Sequence, residues 1–369
     1  MKNLFYLLIS IFIISCDNSS DENEPINGDG FDRSQILTNT YDNIIIPSYN
    51  EFESKLADLQ YNTTKFSNNV NQQNLNSLRL SWVKSYKTWQ AIEMFDLRKA
   101  EEISYSRISN SYPCKELEIQ SKINNSISVI GPFTSMDLGT TGFPAIGYMI
   151  YGNDSSNIIT TFNGTDAAKH IDYLNAIVKN LVDNTSLVTN DWNISRASFV
   201  NSINNTQTSS LNIIINDFIY FLEKKIRTAK IGIPIDFFGA MQPQPDQVES
   251  YYKSNICKPL LIESMNSVKR FYKGISFDET NNGSGLEDYL VYLGNADDLI
   301  MTINDQFIDI EQKISLLEDD FILELNNGTN RMEDVFLSIQ NLVTYFKSDM
   351  MKDRFGISED YADNDGDGG

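Results

Sequence analysis

The chain has 369 residues, with 50 Asp and Glu against 29 Lys and Arg, a single histidine and a formal net charge of −21. So acidic a body repels nucleic acid and anionic lipid, and one histidine cannot supply the imidazoles on which catalytic zinc sites usually rely. Residues 33–369 exceed the size at which one core usually keeps growing, so two domains are expected.

In chain order, Lys2 precedes an apolar run from Leu4 to Ile14 that ends at Ser15-Cys16. The run is about a dozen residues, short of the roughly 20 that span a bilayer. It resembles a bacterial lipoprotein signal: residues 1–15 would be removed and Cys16 lipidated, leaving the protein anchored to the membrane rather than inserted in it. Residues 16–32 follow as a flexible acidic tether with little to bury. Acidic residues directly after the cysteine also resemble the surface-export signals of Bacteroidetes lipoproteins. The expected location is the bacterial cell envelope, at the outer membrane, on its periplasmic face or at the cell surface.

Beyond the tether the apolar residues step by three and four. Ile45, Tyr49, Phe52, Leu56 and Leu59 make one stripe, and Ile171, Leu174, Val178 and Leu181 another. Two more run from Ile300 to Leu317 and from Met332 to Phe346. This periodicity predicts an all-α fold of packed antiparallel helical bundles, with no comparable alternation for strands. Gly, Pro and Asn clusters break the pattern near 131–142, 152–164, 231–245 and 281–285. A loose domain boundary near 185–195 gives an N-terminal bundle over 33–190, a C-terminal bundle over 191–362 and an acidic tail over 363–369. Pro259 should bend or interrupt a helical pattern running from Val248 to Tyr272. Cys114 and Cys257 either pair or remain buried thiols.

The sharpest local signal lies in a helix expected over 75–95. Leu78, Trp82, Tyr86 and Trp89 form a stripe whose next member is Glu93. A carboxylate due in a core must be paired, hydrogen-bonded, protonated or bound to a cation. It either belongs to a cleft or closes the helix by pairing with Arg98 or Lys99. His170, the lone histidine, reads as a solvated or packed side chain.

The pattern Leu-x3-Trp-x3-Tyr-x2-Trp-Gln-x2-Glu-x-Phe, from Leu78 to Phe95, is similar to the first motif of the imelysin-like proteins. Gly142-Phe-Pro-Ala-Ile-Gly-Tyr148 resembles that family's Gly-x-His-x-x-Glu segment, extended to Gly152, with Pro144 and Gly147 standing where the His and Glu would be. Lys230-Ile-Gly-Ile-Pro234, Val248-Glu-Ser-Tyr-Tyr, Phe271-Tyr-Lys-Gly274 and Gly285-Leu-Glu-Asp-Tyr-Leu290 follow in the same order. The likeness runs from about Tyr41 to Asp367.

It implies two helical bundles with a ligand-binding cleft between them, for which Trp89, Glu93, Phe95, Asp137, Gly142, Phe143, Pro144, Gly147 and Tyr148 are the candidate residues. The process it brings is acquisition of iron or haem at the envelope. Because Pro144 and Gly147 offer no side-chain donor, a non-catalytic binding protein is expected, and no catalytic residue is assigned. The alternatives are an imelysin-type metallopeptidase and an accessory lipoprotein whose partner is an outer-membrane receptor. Asp363, Asp365 and Asp367 fit the start of a calcium loop whose bidentate Glu the sequence does not supply, so a solvated acidic tail is favoured over calcium binding. No P-loop, dinucleotide fingerprint or nucleophile elbow occurs.

Overall fold

The computed structural model describes residues 29–126 and 134–361. Among these there is no strand, only one isolated antiparallel bridge between Ile275 and Asn282. The expected stripes are buried, apart from Ile171 and Ile300 at their ends, which are half-buried. Tyr49, Phe52, Leu56 and Leu59 face inward on α2 (Ile46–Asn68), which packs against α3 (Gln72–Trp89) and α9 (Ala167–Val200). α1 (Ser34–Asn39) leads into α2 through a wide-turn stretch, Thr40–Ile45. Asn71 starts α3 by accepting from the Asn74 N–H, which satisfies one of the donors a helix start leaves open.

Between α3 and α9 the chain forms the short helices α4 (Lys99–Glu102) and α5 (Tyr105–Ser109), then α6 (Glu116–Asn124), α7 (Gly142–Tyr151) and α8 (Ser155–Asn163). The C-terminal half begins with α10 (Ser210–Tyr220), which runs on into a wide-turn segment, Phe221–Gly232. It continues with α11 (Cys257–Lys273), α12 (Leu286–Leu293), α13 (Asp297–Ser315), α14 (Phe321–Asn327) and α15 (Asn330–Thr344). α15 packs on α13 and on the wide-turn segment, while α11 crosses to α3.

Three features differ from the sequence reading. The boundary placed at 190 falls inside α9, which runs unbroken for 34 residues; the next break is the turn over 201–209. A single stripe of inward residues, Leu181, Val188, Trp192 and Phe199, carries the helix through that region. The tether is shorter at its C-terminal end than residues 16–32. Phe31 stacks on Tyr289 at 4.2 Å, and the Asp29 carboxylate pairs with Arg33 at 2.8 Å and accepts from the Tyr289 hydroxyl. Finally, the interruption expected at Pro259 is present but falls just before the proline, and no helix is bent at it. The chain is 3-10 over Tyr251–Ile256 and α11 starts at Cys257, so the proline occupies the first turn, where no intrahelical N–H is missed.

Cys114 and Cys257 are free thiols: Cys114 meets the Tyr252 hydroxyl at 3.1 Å, and burial pushes the Cys257 thiol up to about 12. No helix among the described residues is long and apolar enough to cross a membrane. Cys16 and the tail residues Asp363, Asp365 and Asp367 lie outside the described residues.

Candidate functional site

The segment that carries the family resemblance is built on Gly142. Its φ is +74°, and a Cβ placed there would lie 2.1 Å from the Ser109 carbonyl oxygen, so only glycine lets the start of α7 press against the end of α5. α9 holds this start in place: the Tyr173 hydroxyl donates to the Thr140 carbonyl at 2.5 Å, and Asn180 donates to the Thr141 hydroxyl at 3.2 Å. Pro144 sits in the first turn, where its missing N–H costs nothing.

Pro144 and Gly147 do face the seam between the two halves. They line a narrow crevice with Trp82, Tyr86, Glu249 and Tyr252. The indole of Trp82 has taken the room beside Gly147, where a Cβ would come within 3.0 Å of its ring, and its Nε1 donates to the Phe143 carbonyl at 3.1 Å. Restoring the motif by Pro144→His with Gly147→Glu is therefore expected to destabilise the fold by about 1–3 kcal/mol through overpacking, without creating a zinc or iron site. Thermal melting with and without each metal checks this; a metal-dependent rise in melting temperature would contradict it.

Below the crevice lies a buried polar network that ties the halves together. Lys230 pairs with Glu249 at 2.5 Å and donates to Gln90 Oε1 at 2.8 Å. Gln90 and Asn110 both donate to Glu249 Oε1, at 3.0 and 2.8 Å, and Ser264 of α11 donates to Gln90 at 2.7 Å. Tyr86 closes the set with a 2.6 Å bond to Asn110. A buried ion pair persists only when hydrogen bonds support it, and here both Glu249 oxygens accept and Lys230 has a second acceptor in Gln90.

Glu93 stands at the edge of this network, 5% exposed. α3 ends at Trp89, so Glu93 follows a turn and does not continue the helix. The helix-end pairing does not form: Arg98 bonds Asp191 and Lys99 bonds Glu102. Glu93 Oε1 instead accepts from Ser106 at 3.4 Å and from Asn110 at 3.5 Å, while Oε2 is buried without a partner. Burial pushes its carboxyl above the usual range, with Lys230 and Lys225 opposing and Glu249 reinforcing. Glu93 lines a cleft of about 260 Å³ together with Arg107, Asn110, Tyr112, Lys225 and Lys230.

The other sequence candidates divide. Trp89, Phe95 and Phe143 are core residues at 0–1% exposure and do not wall the cleft. Phe143 stacks on Tyr86 at 4.4 Å, and Trp89 packs edge-on against Tyr105. The cause is α7 itself, which is apolar on nearly every side and wedged between α3 and α9. Asp137 lies apart: it closes a capping box with Thr134 and pairs with Lys122 at 2.6 Å. Burial raises its carboxyl, but these bonds hold it below the usual range. Tyr148 is half-buried, accepts from Gln120 at 3.0 Å and packs on Tyr252. His170 packs edge-on against Phe162, as a packed histidine should. Sequence reasoning missed Lys230 and Glu249, although both sit in family-like segments, and missed Arg107 and Lys225 altogether.

The sequence profile described as Peptidase_M75: Imelysin matches residues 45–344. Among solved structures, an imelysin-like protein from Psychrobacter arcticum 273-4 superposes with a TM-score of 0.68 at 14% identity, covering 89% of this chain and 97% of that one. A protein from Parabacteroides distasonis ATCC 8503 described as an iron-regulated protein A precursor gives 0.70 at 15% identity, covering 85% and 93%. No curated protein sequence matches. At such identities the superpositions establish the shared all-helical fold alone; the profile match, spanning Ile45 to Thr344 and both sides of the seam, carries the assignment, and the chain belongs to the imelysin family.

Proposed function

We propose that this chain is a non-catalytic binding protein of the cell envelope, lipid-anchored through Cys16, that holds an iron-bearing ligand in the cleft beside Glu93 and passes it to an outer-membrane receptor. The observation that carries this reading is the pairing of an emptied motif with a preserved cleft. Pro144 and Gly147 have no donors, yet at the same seam a buried carboxylate oxygen remains without a partner on the wall of a 260 Å³ space. Such an oxygen costs roughly 1–3 kcal/mol unless something fills its need, and a ligand would. The iron-regulated description of the Parabacteroides distasonis neighbour supports the physiological context.

A bare iron ion does not fit the residues present. Among the described residues, no group of three or more His, Cys, Asp or Glu is placed to hold a metal. Glu249 is committed to Lys230, and Glu93 has Lys225 and Lys230 for neighbours. The cleft is also smaller than the roughly 300–1,000 Å³ of sites that enclose drug-sized ligands, so it would not enclose a porphyrin. In this reading iron arrives already chelated. The same donor set disfavours the metallopeptidase alternative, which needs at least three protein ligands and an open position.

Equilibrium dialysis of the full mature chain against ferric citrate, with iron measured in the protein compartment, is expected to show near-stoichiometric retention. Glu93→Ala is expected to lower it by about tenfold or more. Retention of iron from an unchelated salt alone, or none from either source, would overturn the reading. Detergent-phase partitioning that is unchanged in Cys16→Ala would remove the lipid anchor from it.

A further inference from the structure

The cleft is positive in a strongly negative protein. Of the 29 Lys and Arg in the chain, three line this one space, Arg107, Lys225 and Lys230, against the single carboxylate of Glu93. Lys230 is neutralised by Glu249. Arg107, which is exposed, and Lys225, which is half-buried, make no side-chain hydrogen bond or ion pair among the described residues. Arg107 on α5 and Lys225 on the wide-turn segment, neither in a direct ion pair and both near the Asp96 carboxyl, line one space with a buried and unpartnered polar oxygen, a set suited to recognising negative charge.

We infer that the cleft binds a small oxyanion, a carboxylate or a phosphate, between Arg107 and Lys225, with Glu93 Oε2 as its third polar contact. This rests on the reading of the cleft as the ligand site and names the charge class of what enters it. Arg107 can offer two parallel donors to such a group, and Lys225 a mobile point charge. Glu93 can join them only while it carries a proton, because a carboxylic acid donates to an anion and a carboxylate repels one. Its burial favours the protonated form. The groups around it bear on this titration from every side: Lys225 and Lys230 on the wide-turn segment, Glu249 beyond them, Arg107 and Asn110 around α5, and Asp96 in its own turn. The Asp96 carboxyl is itself raised by burial and accepts from the Ser106 N–H at 3.4 Å.

Affinity should fall as pH rises, since deprotonation of Glu93 puts a negative charge against the ligand. Titration calorimetry on the full mature chain at low salt, with citrate, malonate, inorganic phosphate and the cation ethylenediamine, tests this. One-to-one binding of at least one anion and none of ethylenediamine is expected. Citrate or malonate alone would assign the carboxylate class, and phosphate alone the phosphate class. Lys225→Gln and Arg107→Gln should each weaken binding about tenfold with melting temperatures unchanged. Glu93→Gln, which keeps a donor, should bind and lose the decline in affinity with rising pH.

Failure of all three anions, or wild-type affinity in both cation variants, would overturn the inference. The two readings separate cleanly. Anions that bind while ferric citrate is not retained would sink the iron reading and leave this one. Retention of ferric citrate with no binding of citrate, malonate or phosphate on their own would do the reverse.

Discussion

Lys230→Met is expected to destabilise the protein by roughly 3–5 kcal/mol, because it leaves Glu249 as an uncompensated charge in the interior. Both side chains are 3% exposed, and the pair is held by Gln90 and Asn110 from the opposite side of the seam, with Ser264 of α11 fixing Gln90. The double variant Lys230→Met with Glu249→Met is expected to recover most of that loss. It removes both charges together, while Gln90 keeps Ser264 and Asn110 keeps Tyr86. Denaturant midpoints for the four corners of this cycle give the coupling energy directly. A single-variant cost below about 1 kcal/mol would mean that water reaches the pair. Were the double variant no better than Lys230→Met, the network would be stabilised by its hydrogen bonds rather than by charge.

Gly142→Ala is expected to be among the most damaging methyl additions at the described residues, at about 4 kcal/mol or more. Two independent penalties meet there: a left-handed φ of +74° and backbone atoms of Ser109 within 2.1–2.5 Å of the new carbon. Gly294→Ala separates them. Gly294 has a similar φ of +71° but nothing within 4 Å, so its substitution should cost only the dihedral term, about 1–2 kcal/mol. Comparable melting shifts for the two variants would show that α5 can move away from α7, and with it Asn110, which bonds both Glu93 and Glu249.

The bundles were readable because each helix buries a stripe at a period close to 3.6 residues. Phe52, Leu56, Ile303, Phe307, Val335 and Ile339 all lie where periodicity places them. Glu93 was readable for the complementary reason, as a carboxylate falling where that period demands a core residue. Its surroundings were not. Lys230 and Glu249 come from the end of a wide-turn segment and from an irregular stretch, neither of which carries a period, and they meet Gln90 across 140 and 159 positions. Trp89 and Phe143 were placed in the cleft wall because the motif drew attention to them, yet an aromatic beside a motif is as useful to the core, and here Tyr86 and Phe52 claim them. The replaced motif residues could be read from the sequence; that Trp82 had taken their space could not, since it depends on how closely α3 approaches α7.

The docking of Asp29, Phe31 and Arg33 onto Tyr289 sets the reach of the whole molecule. If the chain is lipidated at Cys16, only twelve residues lie between the anchor and Asp29, thirteen steps along the chain, so the body cannot stray more than roughly 43–47 Å from the bilayer surface. The leash is attached at α12, which contributes nothing to the cleft. A body so tethered would be confined to a thin layer of the envelope. A partner embedded in the same membrane would meet the ligand at the concentration of that layer, not of the compartment as a whole.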